Sequence, residues 1–236
     1  MNLILLIDYK YTRSTPLNAL NRIKAPYETD KGRLEIVTPD RYDEVYEILG
    51  NHFTPDEPLC RSFGVVWHPE FEKITYDNLK DNCSVCMISK ETDQMMGVRL
   101  NGFTRRSDPP ADFSKMDYEP LRELFTFLHS KNKEVDFFNR YDVDEALHFY
   151  TLGVHKNYRR MGLGCKLLGA AVELGREIGF KAIRGEGTSN FSQRIYEKEK
   201  FDLILTMPYD EYTYKGRKLI EGTGEHTMTK VYGKKL

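Results

Sequence analysis

A basic segment with two glycines, from Arg159 to Gly164, has the composition of a phosphate-binding turn. It follows a β-rich stretch and precedes a run of residues with helical periodicity. The first backbone N–H groups of a helix have no partner within the helix, and the helix dipole favours an anion there. Glycine also removes Cβ atoms where a ligand must approach the backbone closely. The segment therefore predicts a phosphate site, although an ordinary strand-to-helix loop remains a second interpretation.

A dinucleotide-binding turn is the main alternative for this segment. That fingerprint needs a third glycine, a position after the first strand and an acidic residue about 20 residues further on. Here Leu167 occupies the third glycine position, and the turn lies in the middle of the chain. The context therefore excludes a dinucleotide site.

A second candidate site lies in the segment Thr54-Pro-Asp-Glu57-Pro-Leu59. An alkyl amine with a pKa of about 10.4 is protonated at neutral pH, so chemistry on it needs a base. Glu57 is a candidate for that base. The spacing also has a structural interpretation, because Thr54-x-x-Glu57 is a capping-box pattern with Pro55 at the first helical position.

A third group of candidates consists of the hydroxyl residues Thr188, Ser192 and Tyr196. A thiolate leaving group carries negative charge, which a hydroxyl donor stabilises. Ser192 and Tyr196 are four residues apart and would share one face of a helix. The alternatives are an N-cap role for Ser192 and packing in the core for Tyr196.

The histidines and cysteines predict no metal site. His148 shares a strand face with Tyr150 and Leu152 by the two-residue period. The remaining histidines are scattered without metal-ligand spacing. Cys83 and Cys86 form an isolated CxxC pair, and we interpret them as small apolar residues on opposite faces of a strand.

Together these segments resemble the GNAT superfamily of N-acetyltransferases. Arg159-x-x-Gly162-x-Gly164 is similar to its acyl-CoA signature. Phe53-x-x-Asp56-Glu57-Pro58-Leu59 resembles the corresponding segment of the invertebrate arylalkylamine N-acetyltransferases. The resemblance covers about residues 34 to 230. It implies acetyl-CoA as co-substrate and a central mixed, twisted β-sheet that is flanked by helices and splayed at the acyl-CoA site.

The resemblance also implies roles for individual residues. Glu57 would be the general base, Asp56 would lie at the amine site, and Ser192 and Thr188 would complete the family's proposed triad. Thr188 departs from the usual serine, which keeps the hydroxyl and adds a methyl group. Tyr196 matches the proposed acid of the vertebrate branch, so Ser192 and Tyr196 remain alternative acids. In that branch the strand face of His148 carries histidines proposed to pass protons, so the resemblance makes His148 a second candidate base.

For acetyl-CoA, the resemblance implies two sets of contacts. Leu152 and Val154 would pair with the pantetheine arm like an added strand. Six consecutive residues would hold the pyrophosphate: Arg159, Arg160, Met161, Gly162, Leu163 and Gly164.

The pattern of elements predicts one mixed α/β sheet with helices on its faces. The predicted strands cover 33–38, 83–89, 95–103, 146–154, 181–184, 203–206 and 227–233. Predicted helices begin at 39 and 54 and cover 117–133, 162–178 and 192–200. Residues 1–33 are expected to form an N-terminal extension, and 34–236 the acetyltransferase domain.

Composition limits the classes of partner. The 236 residues include 35 Lys+Arg and 36 Asp+Glu, a formal net charge of -1, which disfavours a protein that grips nucleic acid. No apolar run approaches the ~20 residues of a membrane span. The run Leu3–Ile7 is too short for a signal-peptide core, so we expect a cytoplasmic protein.

The resulting hypothesis is an acetyl-CoA-dependent N-acetyltransferase that acts by direct transfer in a ternary complex. The expected acceptor is the primary amine of an arylalkylamine such as dopamine, tyramine, octopamine, tryptamine or serotonin. The alternatives are a polyamine, an amino sugar or a protein amine as acceptor, or a GNAT fold that binds acyl-CoA without turnover.

Overall fold

The computed structural model describes residues 15–131 and 134–236. Its strands are β1 Gly32–Ile36, β2 Val85–Ser89, β3 Met95–Arg105, β4 Glu145–Val154, β5 Ala182–Gly187, β6 Asp202–Pro208, β7 Thr213–Tyr214, β8 Arg217–Lys218 and β9 Met228–Lys235. A seven-stranded sheet has the order β1-β2-β3-β4-β5-β9-β6, and β7 and β8 form a separate hairpin. Within the large sheet β4 and β5 are parallel, and the other neighbouring pairs are antiparallel. The predicted mixed α/β sheet is confirmed.

Helices cover both faces of this sheet. They are α1 Pro16–Ile23, α2 Tyr42–Ile48, α3 Pro58–Phe63, α4 Pro69–Leu79, α5 Glu119–His129, α6 Phe137–Tyr141, α7 Leu163–Ile178 and α8 Asn190–Lys198. The π-helical segment Leu49–Phe53 directly continues α2. Such segments are rare in proteins overall, but those that occur are often found at functional sites.

The long helix α7 forms because apolar residues recur along it at helical spacing. Leu167, Leu168 and Leu174 are fully buried against the sheet in the largest core cluster, which we call the α7 cluster. Gly179 ends the helix in the left-handed conformation, as predicted for a C-cap glycine. A second cluster, which includes Ile48 and Leu49 and which we call the α2 cluster, packs α2 and the π-helical segment against the opposite face.

The parallel strands β4 and β5 stay together for only part of their length. Their pairing covers Leu147–Phe149 with Ile183–Gly185, whereas β4 continues to Val154. A bulge at Tyr150 and Thr151 shifts the register of β4 on β3 at the same point. Bulges bend a strand and increase its twist, which explains why β4 turns away from β5 here. The sheet is therefore splayed, and within the described residues β4 has no pairing with β5 beyond Phe149.

The bulge corrects the predicted common face of His148, Tyr150 and Leu152. His148 and Tyr150 do share a face, with ring centroids 4.2 Å apart. Leu152 instead packs with the α7 cluster, because the extra residue reverses the alternation beyond it.

Several elements differ from the prediction. The helix expected from 54 begins only at Pro58, and α4 and α6 were not predicted. Pro16–Ile23, inside the expected N-terminal extension, is helical, with Ala19 and Leu20 buried in the α7 cluster. Residues 1–14, which include the Leu3–Ile7 run, lie outside the described residues, as do 132–133 at the end of the predicted 117–133 helix. The boundary at residue 34 stays a prediction.

The interpretation of the cysteine pair is confirmed for the opposite faces, but Cys83 precedes the strand. Cys83 lies just before β2, in the α7 cluster, whereas Cys86 lies within β2, in the α2 cluster on the opposite face, and both are buried. In the part of the chain that the structure describes, no helix has the length and apolarity needed to cross a membrane.

Candidate functional site

A cavity of about 890 Å³ opens where β4 and β5 separate. Most of the predicted site residues line it: Asp56, Glu57, Leu152, Val154, Arg159, Arg160, Gly162, Leu163, Gly164, Thr188 and Ser192. Met161 and Tyr196 are not among the described lining residues. The wall has three parts, which are the turn before α7, a central region around Glu57, and an end formed by α4 and α5, which we call the acceptor end.

The turn before α7 is shaped by left-handed backbone at Arg160 and Gly162, with φ of 62° and 75°. Gly162 is the N-cap, and its carbonyl accepts the first intrahelical bond, from the N–H of Lys166 at 3.1 Å. The earlier N–H groups, including those of Leu163 and Gly164, therefore have no partner inside the helix. These donors and the helix dipole suit the pyrophosphate of an acyl-CoA.

Gly164 contributes in a different way, through close packing. A Cβ atom there would lie 3.0 Å from Cδ1 of Ile195 and 3.5 Å from Cδ2 of Leu152. The glycine therefore lets the start of α7 approach both α8 and the open end of β4.

The Arg159 side chain ties the turn to the segment before α3. Its guanidinium forms an ion pair with Asp56 at 2.6 Å and donates to the carbonyls of His52 and Val154. The carboxylate of Asp56 is thus engaged by Arg159 on the turn side of the cavity.

Glu57 is the N-cap of α3, and one of its carboxylate oxygens accepts the backbone N–H of Cys60. The capping-box interpretation that starts at Thr54 is therefore wrong, since the Thr54 hydroxyl donates to the carbonyl of Leu49 at 2.8 Å. Glu57 is only 7% exposed, and its Oε1 has no hydrogen-bond partner within the described residues. A buried unpaired carboxylate oxygen is costly, so this atom is poised to take a donor from a ligand or water.

Ser192 lies at the third position of α8, not at its N-cap. Ser189 is the N-cap, and the two serines form a capping box in which Ser189 N–H donates to Ser192 Oγ at 3.2 Å. The Ser192 hydroxyl in turn donates to the Ser189 carbonyl at 3.0 Å. Thr188 lines the cavity next to them, and its carbonyl accepts the Tyr209 hydroxyl at 2.6 Å.

Tyr196 is buried behind the cavity wall. Its hydroxyl accepts a hydrogen bond from Arg99 at 2.8 Å, and its ring stacks on Tyr232 with centroids 4.7 Å apart. Burial raises the pKa of Tyr196, although Arg99 opposes the shift. The structure therefore brings Ser192 to the cavity and holds Tyr196 away from it.

Two charged residues of the cavity wall were missed by the sequence analysis. Arg99 is buried, with its guanidinium 4.3 Å from the ring centroid of Phe149, and burial lowers its pKa. Glu186 contacts Nε2 of His148 at 3.0 Å and Nε of Arg184 at 3.3 Å. Burial acts to raise the pKa of Glu186, but His148 and Arg184 outweigh it and hold the pKa at about 2. No motif marked either residue.

Near the turn, the fold brings together two histidines that are far apart in the sequence. The rings of His52 and His155 lie 4.0 Å apart, and Glu47 Oε1 is 3.1 Å from His52 Nε2. The potential ligand atoms of these three residues lie within 4.8 Å of one another. The π-helical segment aligns residues five apart, which brings Glu47 beside His52.

Comparison with known proteins identifies the family. Residues 44–201 match the model of the acetyltransferase (GNAT) family. The chain belongs to this family. GNAT acetyltransferases use acetyl-CoA as acetyl donor.

Solved structures of N-acetyltransferases align with most of this chain. Arylalkylamine N-acetyltransferase 2 from Aedes aegypti aligns with a TM-score of 0.80 at 27% identity, over 86% of this chain and 98% of that chain. The mosquito arylalkylamine N-acetyltransferase-like 5b aligns with a TM-score of 0.79 at 26% identity, over 87% of this chain and 100% of that chain. A Drosophila melanogaster polyamine N-acetyltransferase that forms N-acetylagmatine shares the fold. It aligns with a TM-score of 0.76 at 19% identity, over 87% of this chain and 100% of that chain. The predicted GNAT fold is confirmed.

Proposed function

We propose that this GNAT protein transfers the acetyl group of acetyl-CoA to the primary amine of an arylalkylamine. The main supporting observation is that Oε1 of Glu57 has no hydrogen-bond partner among the described residues. Glu57 lies on the wall of a cavity that has the turn before α7 at one end and mostly apolar residues at the other. The similarity to mosquito proteins named arylalkylamine N-acetyltransferases supports this choice of acceptor.

The proposed binding mode of acetyl-CoA follows from the separation of β4 and β5 beyond Phe149. Arg160, Met161 and the start of α7 would surround the pyrophosphate, with backbone N–H groups as the main donors. Leu152 and Val154 would pair with the pantetheine arm, because the β5 side of β4 is open from Tyr150 onward. The thioester would then lie between β4 and β5, close to the cavity wall formed by Glu57 and Ser192.

Direct transfer requires two proton movements. Glu57 accepts a proton from the ammonium group, directly or through water, and the freed nitrogen attacks the thioester carbon. A C–N bond forms and the C–S bond breaks. The second proton that the nitrogen must lose passes to the departing sulfur, and of the two predicted acids the Ser192 hydroxyl is the better placed to relay it.

A covalent acetyl-cysteine route is disfavoured by the state of Cys60. This thiol lines the cavity, but burial and the adjacent Glu57 raise its pKa well above the usual range. Because the thiolate is the nucleophilic form, Cys60 would react poorly at neutral pH. Transfer within a ternary complex needs no such nucleophile.

Charge pairing in the cavity favours an acceptor with one cation. Asp56 is paired with Arg159, and Glu186 with His148 and Arg184, so Glu57 is the lining carboxylate that forms no ion pair with the described residues. The second cation of a polyamine or agmatine would lack such a partner. The acceptor end also contains the polar residues Thr75, Asn78 and His129, but most of its side chains are apolar, which suits an aryl ring: Phe71, Ile74, Phe113, Leu124, Phe125 and Leu128.

A thiol-release assay with acetyl-CoA tests the proposal. We expect kcat/KM to be at least about tenfold higher for tyramine and tryptamine than for spermidine and agmatine, because a buried ring gains about 25 cal/mol per Å². A preference for spermidine would contradict the aryl acceptor. Tight CoA binding without product from any amine would instead support a non-catalytic acyl-CoA-binding protein.

The two acid candidates can be separated by substitution. Ser192→Ala is expected to lower kcat by about 10², because the thiolate loses its donor. Tyr196→Phe should leave kcat close to wild type but lower the melting temperature, since an unpaired buried Arg99 costs about 1–3 kcal/mol. Steady-state kinetics and thermal melts measure both effects. If Tyr196→Phe abolishes kcat without a change in melting temperature, the ranking is reversed.

A further inference from the structure

His129 places a polar ring in the apolar acceptor end of the cavity. It is the last residue of α5 and lines the cavity together with Phe125 and Leu128. Its ring meets Phe113 edge to face, with centroids 4.8 Å apart. A polar group in such surroundings costs free energy unless it forms a hydrogen bond.

The hydrogen bond that His129 makes defines its tautomer. Its Nδ1 lies 2.9 Å from the carbonyl oxygen of Phe125. A carbonyl oxygen can only accept, so Nδ1 carries the hydrogen, and Nε2 of the neutral ring presents a lone pair. Burial lowers the pKa of His129, an effect that outweighs the opposing carbonyl of Phe125 and carboxylate of Glu186, so the neutral form dominates at neutral pH.

Neighbouring polar groups already have partners of their own. His148 Nε2 is bonded to Glu186, and Glu186 also accepts from Arg184. The Nε2 atom of His129 therefore offers an acceptor beside the aromatic rings that would surround the substrate. A hydroxyl group on an aromatic ring is a donor of matching geometry and polarity.

We propose that Nε2 of His129 accepts a hydrogen bond from a ring hydroxyl of the acceptor, so that the protein selects hydroxyarylalkylamines over their unhydroxylated analogues. This inference rests on the proposed function, because it assumes that an aryl ring occupies the acceptor end. The hydroxyl gains a bond that offsets its loss of water, whereas the same hydroxyl in a fully apolar pocket would be penalised.

Tyramine and phenethylamine differ only in the ring hydroxyl and provide the test. We expect wild-type kcat/KM to be about tenfold higher for tyramine, the size of one hydrogen bond. His129→Phe should bring this ratio to one or below, by lowering kcat/KM for tyramine while phenethylamine is retained. His129→Gln, whose carbonyl oxygen can replace Nε2, should keep part of the preference.

The ratio separates this role from a purely structural one. A loss of stability in His129→Phe would lower both activities together and appear in thermal melts, without a change in the ratio. Equal use of the two amines by the wild type, or an unchanged ratio in His129→Phe, overturns the His129 subsite while the proposed function stands. If neither amine is acetylated, the proposed function itself fails.

Discussion

Replacing Glu57 with glutamine is expected to lower kcat/KM for an arylalkylamine by about 10²–10⁴, the usual contribution of a positioned base. Glutamine keeps an oxygen that can accept the N–H of Cys60, so the start of α3 is retained. It cannot take a proton from an ammonium group, so the acceptor remains non-nucleophilic. Steady-state kinetics across the pH range measures the effect.

The structure offers a matched control for this substitution. Glu70 also accepts backbone N–H groups, from Asp117 and Tyr118, but lies outside the cavity wall. Glu70→Gln should therefore leave kcat/KM near the wild-type value. Nearly normal activity of Glu57→Gln, with CoA binding and melting temperature unchanged, would show that another group is the base.

Substitution of Gly162 by alanine is expected to raise the dissociation constant of CoA by about tenfold. The left-handed backbone costs a non-glycine residue about 1–2 kcal/mol, and about 1.4 kcal/mol corresponds to a factor of ten. A shift of the turn that relieves this strain would misalign the N–H groups at the start of α7. Calorimetric titration with CoA measures the change.

Gly216, in the turn between β7 and β8, is the control for the strain itself. Its φ is 77°, against 75° at Gly162, and a Cβ at either position meets nothing within 4 Å. Gly216→Ala and Gly162→Ala should therefore lower stability by similar amounts, but only Gly162→Ala should weaken CoA binding. Equal affinity in the two variants would mean that the turn does not hold the phosphates.

Long periodic patterns made much of the fold predictable. The apolar spacing of α7 and its C-cap Gly179 defined that helix within a residue or two, and the glycines at 162 and 164 marked the turn before it. The bulge in β4 was not predictable, because inserting one residue into a strand leaves apolar and polar residues alternating on each side of it. The short helix α6 carries too few residues for a period to emerge.

At the site, the limits of prediction lay in contacts that span long sequence separations. Tyr196 and Ser192 share a helix, but Arg99, 97 residues away from Tyr196, engages the tyrosine hydroxyl in the core. The pattern Thr54-x-x-Glu57 did not reveal that Glu57 itself caps α3. Local sequence therefore identified the candidate residues, whereas tertiary contacts determine which of their side chains reach the cavity and which groups they bond to.

The short parallel ladder between β4 and β5 has a consequence for how the protein responds to its donor. Three rungs join the two halves of the sheet, and the strand edges beyond them are unpaired with each other. Exposed edges are normally protected in proteins, and here the protecting strand would be the donor itself. Acetyl-CoA would thus be a removable part of the sheet, and folding stability would rise with its concentration by about 2.7 kcal/mol at one hundred times its dissociation constant. On this view, the cellular supply of acetyl-CoA would govern the lifetime of the enzyme as well as its rate.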